Sequence, residues 1–229
     1  MHLEPLLLLD AKREQLLHAL RDALRADDRL EPGGLVVREL AGALTDEPVG
    51  RALSELPYAQ MIKDHARWCE TGGGEGKPSS FDGADLRSLA AIRGYNLTAL
   101  SAKGAVFYGL DMEGVQLQGA HLENADLRSA NLKGADLRGV RLAGARMNGA
   151  DLRGAQLGPL MIAADRLLPA DLTGACLRGA DLSGADLKRA ILAGADLSRA
   201  MLFGACLRQA DLTGAITTGA RGLETDAVA

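Results

Sequence analysis

Few side chains in this 229-residue sequence are of types and spacings that could do chemistry. His65 precedes Cys69 by four residues, which places two metal-ligand types on one face of a helix. No second ligand pair accompanies them, so Cys69 is interpreted as a small core residue beside Trp68. No serine or threonine lies at a fixed spacing from histidine and aspartate, and the glycines form no phosphate loop. We therefore expect no enzyme activity, no metal and no cofactor, with a metal or catalytic site in the helical region as a further alternative.

The composition is that of an ordinary folded, soluble protein, except that aromatic residues are scarce. Apolar residues make up 47% of the chain and charged residues 24%, but aromatic residues only 3%. The core must therefore be filled by Leu, Ala, Met and Ile. The three cysteines include no CxxC pair, and the apolar run Leu6–Leu9 is too short for a signal peptide or a membrane span. We expect a cytoplasmic protein.

The elements that position these side chains follow from a five-residue repeat. One frame runs from residue 95 to residue 219, which is 25 consecutive units, and two further units occupy 79–88. The central residue of each unit, called i here, is almost always Leu, Met, Ile or Phe. Position i−2 is mostly Ala, i−1 and i+1 are mostly polar, and i+2 is most often Gly.

This pattern predicts short strands that turn in the same sense after every unit. Residues i−2 and i point to one side of an extended chain, and i−1 points to the other. A helix is excluded, because a five-residue period drifts by about 140° per unit around its axis. The prediction is a solenoid with Leu and Ala inside. The inward ladder is expected to include Leu127, Leu132, Leu137, Leu152, Leu172, Leu182, Leu197 and Leu212.

Units such as Ala125-Asp126-Leu127, Ala180-Asp181-Leu182 and Ala210-Asp211-Leu212 resemble the pentapeptide-repeat family. The resemblance implies a mainly β fold, a right-handed quadrilateral β-helix with four units per coil. The stretch before the repeats is similar to the helix–glycine entry of some bacterial members of that family. This similarity supports a capping role for the small α-helical N-terminal region, which is itself predicted by apolar residues at helical spacing such as Leu16, Leu17, Leu20 and Leu24.

The expected organisation is a helical N-terminal capping region at 1–70, a glycine-rich linker at 71–80, the β-helix at 79–219 and a short tail at 220–229. Within the first region, helices are expected near 5–26, 35–44, 47–56 and 58–69. The helical region is interpreted as a cap for the open solenoid end, with a dimerising or partner-binding domain as the alternative.

Residues 155–172 keep the frame but depart from the motif. Asp165 falls where a small apolar residue belongs, and Pro159 and Pro169 flank the segment. Because a buried unpaired carboxylate costs several kcal/mol, we expect a bulge or displaced loop that turns Asp165 to solvent.

With four units per coil, residues 20 apart are expected to stack on one face. This spacing predicts an acidic column of Asp111, Asp151, Asp171 and Asp211. A second column predicts an exposed apolar cluster of Met161, Met201 and Phe203. Both sets are candidate partner-binding residues. Cys176 and Cys206, six units apart, are expected on opposite sides of the rod without a disulfide.

Two functions follow as hypotheses. The first is a non-catalytic scaffold that binds an unidentified protein through the faces of the rod, as a monomer or weak homodimer. The second, implied by the resemblance, is a DNA mimic that modulates gyrase or topoisomerase and gives inhibitor resistance. Residues 81–221 hold 14 acidic and 16 basic residues, a charge of +2, which disfavours mimicry of a polyanion. Direct binding of nucleic acid or membrane is not expected.

Overall fold

The computed structural model describes residues 58–87, 89 and 91–223. Helix α1, Tyr58–Glu70, comes first. A long series of single-residue parallel β-bridges follows it and is interrupted once by a hairpin. The hairpin consists of strand β1, Leu160–Ala163, and strand β2, Arg166–Leu168. The helices expected near 5–26, 35–44 and 47–56, and residues 224–229 of the tail, lie outside the described residues.

Each pentad inside the rod bonds to the coils on either side of it and closes with a turn. In one unit, the Leu127 N–H donates to the Arg146 carbonyl at 2.7 Å, and the Asp126 N–H donates to the Ala105 carbonyl at 2.9 Å. The Ala130 N–H donates back to the Leu127 carbonyl at 3.1 Å and closes the corner. The third residue of such a turn has a positive φ, as Gly134 does at +64° in the next unit. This requirement explains why glycine is the commonest residue at i+2.

The bridges repeat every 20 residues along most of the rod, so four pentads complete one coil. The outward i−1 residues therefore form four columns, which we call faces 1 to 4. Face 1 consists of Ser80, Ser101, His121, Arg141, Asp171, Ile191 and Asp211. Face 2 consists of Asp85, Val106, Asp126, Arg146, Cys176, Asp196 and Ile216. Face 3 consists of Ala91, Asp111, Asn131, Asp151, Asp181, Met201 and Arg221. Face 4 consists of Asn96, Gln116, Asp136, Gln156, Asp186 and Cys206.

The interior is a continuous apolar column. Residues i and i−2 line it, and most of them are at most 1% exposed. The buried ladder includes Leu127, Leu132, Leu137, Leu152, Leu172, Leu182 and Leu197. Leu212 is only partly buried, because it lies in the last coil of the described residues and no described coil stacks beyond it. With about 1.5–3 kcal/mol for each fully buried Leu side chain, this column is the main source of stability.

The hairpin changes the spacing between two coils. Bridges that cross it join residues 30 apart, as in Arg141↔Asp171 and Asp151↔Asp181, instead of 20. Residues 160–168 thus leave the coil, and Asp165 lies exposed in the turn of the displaced segment that the sequence predicted. The inserted length equals two pentads, so the sequence frame continues unchanged across it.

We predict that Leu137→Lys unfolds several coils together. It places a charge in the middle of the dry column, at a cost of several kcal/mol. The measurement is the thermal unfolding transition followed by circular dichroism in the β region.

Leu137→Met is the matched control, since it conserves volume and should cost less than about 1.5 kcal/mol. A full β signal and unchanged unfolding in Leu137→Lys would contradict the inward assignment of position i.

Candidate functional site

The imidazole of His65 joins α1 to the first coil. Its Nδ1 accepts the Ser79 N–H at 3.0 Å, so Nε2 carries the proton and donates to the Thr98 carbonyl at 3.1 Å. In the same coil, the next carbonyl at this i+1 position accepts an N–H from the residue 20 positions earlier, as the Lys103 carbonyl does from Gly83. Counting back one coil from Thr98 reaches Pro78, which has no N–H. His65 therefore supplies a donor that the backbone lacks there.

Apolar contacts reinforce this junction. Tyr58 and Ile62 belong to the same buried cluster as the solenoid core, and the ring centroid of Tyr58 lies 5.6 Å from that of Phe81. The chain then turns at Gly76, where an added Cβ would lie 2.2 Å from the Asp64 carbonyl oxygen. Glycine is thus required at Gly76 for the chain to pass close to α1.

The pair His65 and Cys69 is a hydrogen-bonded junction. Both His65 nitrogens are occupied by backbone groups, and the Cys69 thiol also faces the Thr98 carbonyl, at 3.5 Å. Burial lowers the pKa of His65, against a smaller opposite effect of the Thr98 carbonyl. Across the described residues, no group of three or more metal-ligating side chains could hold an ion. Within the same part of the chain, no helix has the length and apolar character needed to cross a membrane.

The acidic column predicted from 20-residue spacing is wrong. Asp111 and Asp151 lie on face 3, whereas Asp171 and Asp211 lie on face 1, two units away within the coil. The hairpin moves the later pair by two units and so to the opposite side. Face 3 continues instead from Asp151 to Asp181 and then to Met201.

The four predicted carboxylates are also occupied by local partners. Asp111 pairs with Arg93, Asp151 pairs with Arg153, and Asp171 and Asp211 each accept a backbone N–H two residues further on. Hydrogen bonding from the Arg93 side chain lowers the pKa of Asp111, and hydrogen bonding from Arg153 lowers that of Asp151. All four aspartates thus accept hydrogen bonds from nearby groups, and Asp111 and Asp151 are also neutralised by an arginine.

The predicted apolar cluster is not formed either. Met161 lies in β1 of the hairpin, and Met201 lies in face 3 beside Asp181. Phe203 follows Met201 and is 54% exposed, but Met161 is not stacked in their column. The same ten-residue displacement that splits the aspartates separates these side chains.

The hairpin is the most apolar exposed feature of the described rod. It leaves face 4 after Gly158 and lies along the corner between faces 4 and 1. Leu160 and Leu168 approach Gly139, where an added Cβ would be 2.8 Å from the Leu160 Cβ. The remaining apolar side chains project outward, with Met161 68%, Ile162 45% and Leu167 41% exposed. Sequence reasoning missed Ile162 and Leu167, although the break in the motif over 155–172 was the signal for them.

A cationic pocket opens beside the base of the hairpin. Its volume is about 370 Å³, and it is lined by Pro159, Lys188, Arg189, Arg208 and Gln209. Lys188 lies 3.6 Å from Asp186, and the Arg189 Nε donates to the Gln209 side-chain oxygen at 2.7 Å. Spacing arguments did not find this pocket, because residue 159 and residues 188–209 become neighbours only across the inserted hairpin.

These features define the class of the protein as a β-solenoid built from five-residue units. A family model for pentapeptide repeats matches the chain in eight copies over 92–128, 120–157, 170–184 and 180–219, just over half of its length. The chain belongs to the pentapeptide-repeat family, as its motifs predicted. The matches leave out 158–169, the segment that contains the hairpin.

The chain is also similar to solved pentapeptide-repeat structures. The protein from the Arabidopsis thaliana thylakoid lumen has 24% identity, with 50% of this chain and 68% of that chain covered and a TM-score of 0.34. HetL of the cyanobacterium Nostoc, involved in heterocyst differentiation regulation, has 26% identity, with 63% and 77% covered and a TM-score of 0.26. QnrB1, a plasmid-mediated fluoroquinolone resistance protein, has 19% identity, with 65% and 75% covered and a TM-score of 0.32. No curated protein matches the sequence. All three scores are below 0.5, so membership rests on the repeat match.

We predict that the stability of the α1 junction falls as the pH decreases below about 6.5. The folded-state pKa of His65 lies below its ordinary value of 6.5, so the unfolded state binds more protons in this range. The contribution of His65 to the free energy of unfolding is fully present above pH 6.5. It decreases as the pH falls, until the pH is below the folded-state pKa of His65. The measurement is the free energy of unfolding between pH 7.5 and pH 5.

His65→Gln should remove most of this dependence, whereas the matched His121→Gln on face 1 should retain it. The lowered pKa of aspartates such as Asp151 affects stability only in a more acidic range, below the ordinary carboxyl value. An identical pH profile in the wild type and His65→Gln would contradict the assigned role of His65.

Proposed function

We propose that this protein is a non-catalytic interaction module, in which the solenoid is the scaffold and the hairpin Leu160–Leu168 is the surface that binds a protein partner. The observation that supports it is the exposure of Met161, Ile162 and Leu167 on one short segment. In almost every repeat unit the large apolar side chain at position i is buried in the core. A segment with three exposed apolar side chains is therefore an exception to the repeat pattern.

The scaffold role is supported by the way the hairpin is held. Leu160 and Leu168 pack on the Gly119 and Gly139 corner, and the pairs Leu160↔Leu168 and Met161↔Leu167 align its two strands. A segment fixed at its base presents its apolar residues with little loss of conformational entropy on binding. Exposed apolar clusters of this kind are typical of protein contact sites.

Modulation of gyrase or topoisomerase by DNA mimicry is the second hypothesis, and the charge pattern does not favour it. On face 3, Arg93, Lys133 and Arg153 lie close to Asp111, Glu113 and Asp151. A DNA mimic needs a dense and unpaired negative field along its rod. Alternating charges at these separations cancel within about a Debye length, 8 Å in physiological salt.

The remaining parts of the proposal follow from the sequence and the family. We propose a cytoplasmic protein without enzyme activity, a monomer or weak homodimer, with the right-handed winding that the family resemblance implies. The N-terminal helical region is proposed to cap the rod. Support comes from the contacts of α1 with Ser79, Phe81 and Thr98.

We predict that Met161→Ser combined with Ile162→Ser leaves the fold intact but reduces partner capture from native cells at least several-fold. Both side chains are exposed in the hairpin, so their loss removes contact area without opening a cavity in the core. The measurement is affinity capture quantified by mass spectrometry, with circular dichroism to verify the fold.

Met201→Ser combined with Phe203→Ser is the matched control, since it removes two non-core apolar side chains away from the hairpin, Met201 in face 3 and Phe203 two residues after it. Equal capture by the wild type and the hairpin variant would reject the hairpin as the binding surface.

We further predict that the supercoiling activity of gyrase is unchanged by micromolar concentrations of this protein. The reason is the near-neutral rod surface described above. Strong inhibition, or protection from quinolone-type inhibitors, would favour the DNA-mimic hypothesis instead.

A further inference from the structure

The cationic pocket combines three positive side chains with one carboxylate. Lys188, Arg189 and Arg208 line it, and Asp186 lies 3.6 Å from the Lys188 ammonium group. The local balance is therefore a surplus of two positive charges. Several cations elsewhere on the described rod form closer ion pairs, as Arg138 does with Asp136 at 2.6 Å. The pocket is thus a local concentration of uncompensated positive charge.

Arg208 is the side chain that is available to a ligand. It makes no hydrogen bond or ion pair with any other side chain that the structure describes, whereas Arg189 is bonded to Gln209 and Lys188 lies near Asp186. A guanidinium group presents two parallel N–H donors that match one carboxylate. The pocket therefore offers one bidentate site, flanked by two further cations.

The corner that carries the pocket also departs from the usual residue type. Arg189 and Gln209 occupy i+2 positions with φ of 55° and 60°, a backbone conformation that favours glycine. In the same corner column, Gly119 and Gly139 retain glycine beneath the hairpin. The side chains of Arg189 and Gln209 project from this corner despite the conformational cost, and they form one wall of the pocket.

The pocket and the apolar hairpin are adjacent along the chain. Pro159 lines the pocket and directly precedes Leu160, the first residue of β1. The pocket therefore adjoins the base of the hairpin, where one extended peptide of a partner would contact both surfaces. Its charged group must be negative, because the pocket is positive.

We infer that the pocket binds the carboxylate of an acidic residue next to an apolar residue in the protein partner. The inference rests on the proposed function of the hairpin. Arg208 pairs with the carboxylate in a bidentate manner, and Lys188 and Arg189 add electrostatic attraction. The hairpin thus recognises an acidic–apolar peptide segment.

The test uses a blocked peptide of two leucines followed by two glutamates, added to the full-length protein. Binding is followed by the side-chain Nε–Hε signals of arginine in ¹⁵N NMR spectra. We expect the Arg189 and Arg208 signals to shift, and we expect Arg208→Gln to raise the dissociation constant at least roughly tenfold, because it removes the charge-assisted hydrogen bonds of the bidentate pair. A peptide with glutamines in place of the glutamates should bind the wild-type protein at least as weakly as the glutamate peptide binds Arg208→Gln.

Arg178→Gln is the matched control. Arg178 is also an i+1 arginine without a described side-chain partner, but it belongs to face 2, on the opposite side of the rod. It should leave binding unchanged. Unshifted Arg189 and Arg208 signals, equal binding of the glutamine peptide, or equal weakening by Arg178→Gln would overturn the inference.

A second titration with inorganic phosphate separates a peptide site from a simple anion site. Phosphate binding as tight as that of the glutamate peptide would overturn the assignment to an acidic segment. The two proposals also fail separately. If Arg208→Gln leaves the binding of the glutamate peptide unchanged, only the assignment of the pocket is rejected. If the variant with Met161→Ser and Ile162→Ser captures its partner as well as the wild type does, the proposed function of the hairpin is rejected.

Discussion

Backbone hydrogen bonding from coil to coil is the interaction on which this structure depends. Inside the rod, a pentad donates to the following coil through residues i and i+2 and to the preceding coil through residue i−1, and a turn closes its corner. The apolar column can stay dry only because these bonds satisfy the backbone at every level. The same demand explains the N-terminal end, where His65 of α1 satisfies the Thr98 carbonyl and the Ser79 N–H.

Because the coils repeat so regularly, many polar side chains on the surface form hydrogen bonds with neighbouring groups of the rod itself. Aspartates at i−1 accept backbone N–H groups two residues further on, as Asp171 does from Thr173 at 2.9 Å. Many of them also bind an arginine, as Asp126 does through Arg128. Such side chains have little capacity left for a partner. Binding chemistry is therefore expected where the repeat is interrupted, at the hairpin and the pocket beside it.

The sequence predicted the orientation of side chains well and their lateral position poorly. Inward and outward orientation depends on a local period of two along an extended chain, so Leu127 and Leu182 could be placed without coordinates. Lateral stacking depends on the number of residues between successive coils. A displaced hairpin of two pentads left the frame intact, so Asp151 and Asp171 were assigned to one face although they lie on opposite sides.

The sequence by itself determined the class of fold, because the five-residue pattern of Leu, Ala and Gly admits only a chain that turns after every unit. It also indicated that residues 155–172 depart from that pattern, since a carboxylate such as Asp165 cannot enter a dry column. Only the tertiary structure decided which outward residues meet, because coil stacking joins Pro159 to Arg189 and Arg208 across the inserted hairpin. Contacts of this kind depend on how many residues each coil contains. The five-residue pattern does not specify that number, because coils of 20 and of 30 residues keep the same frame.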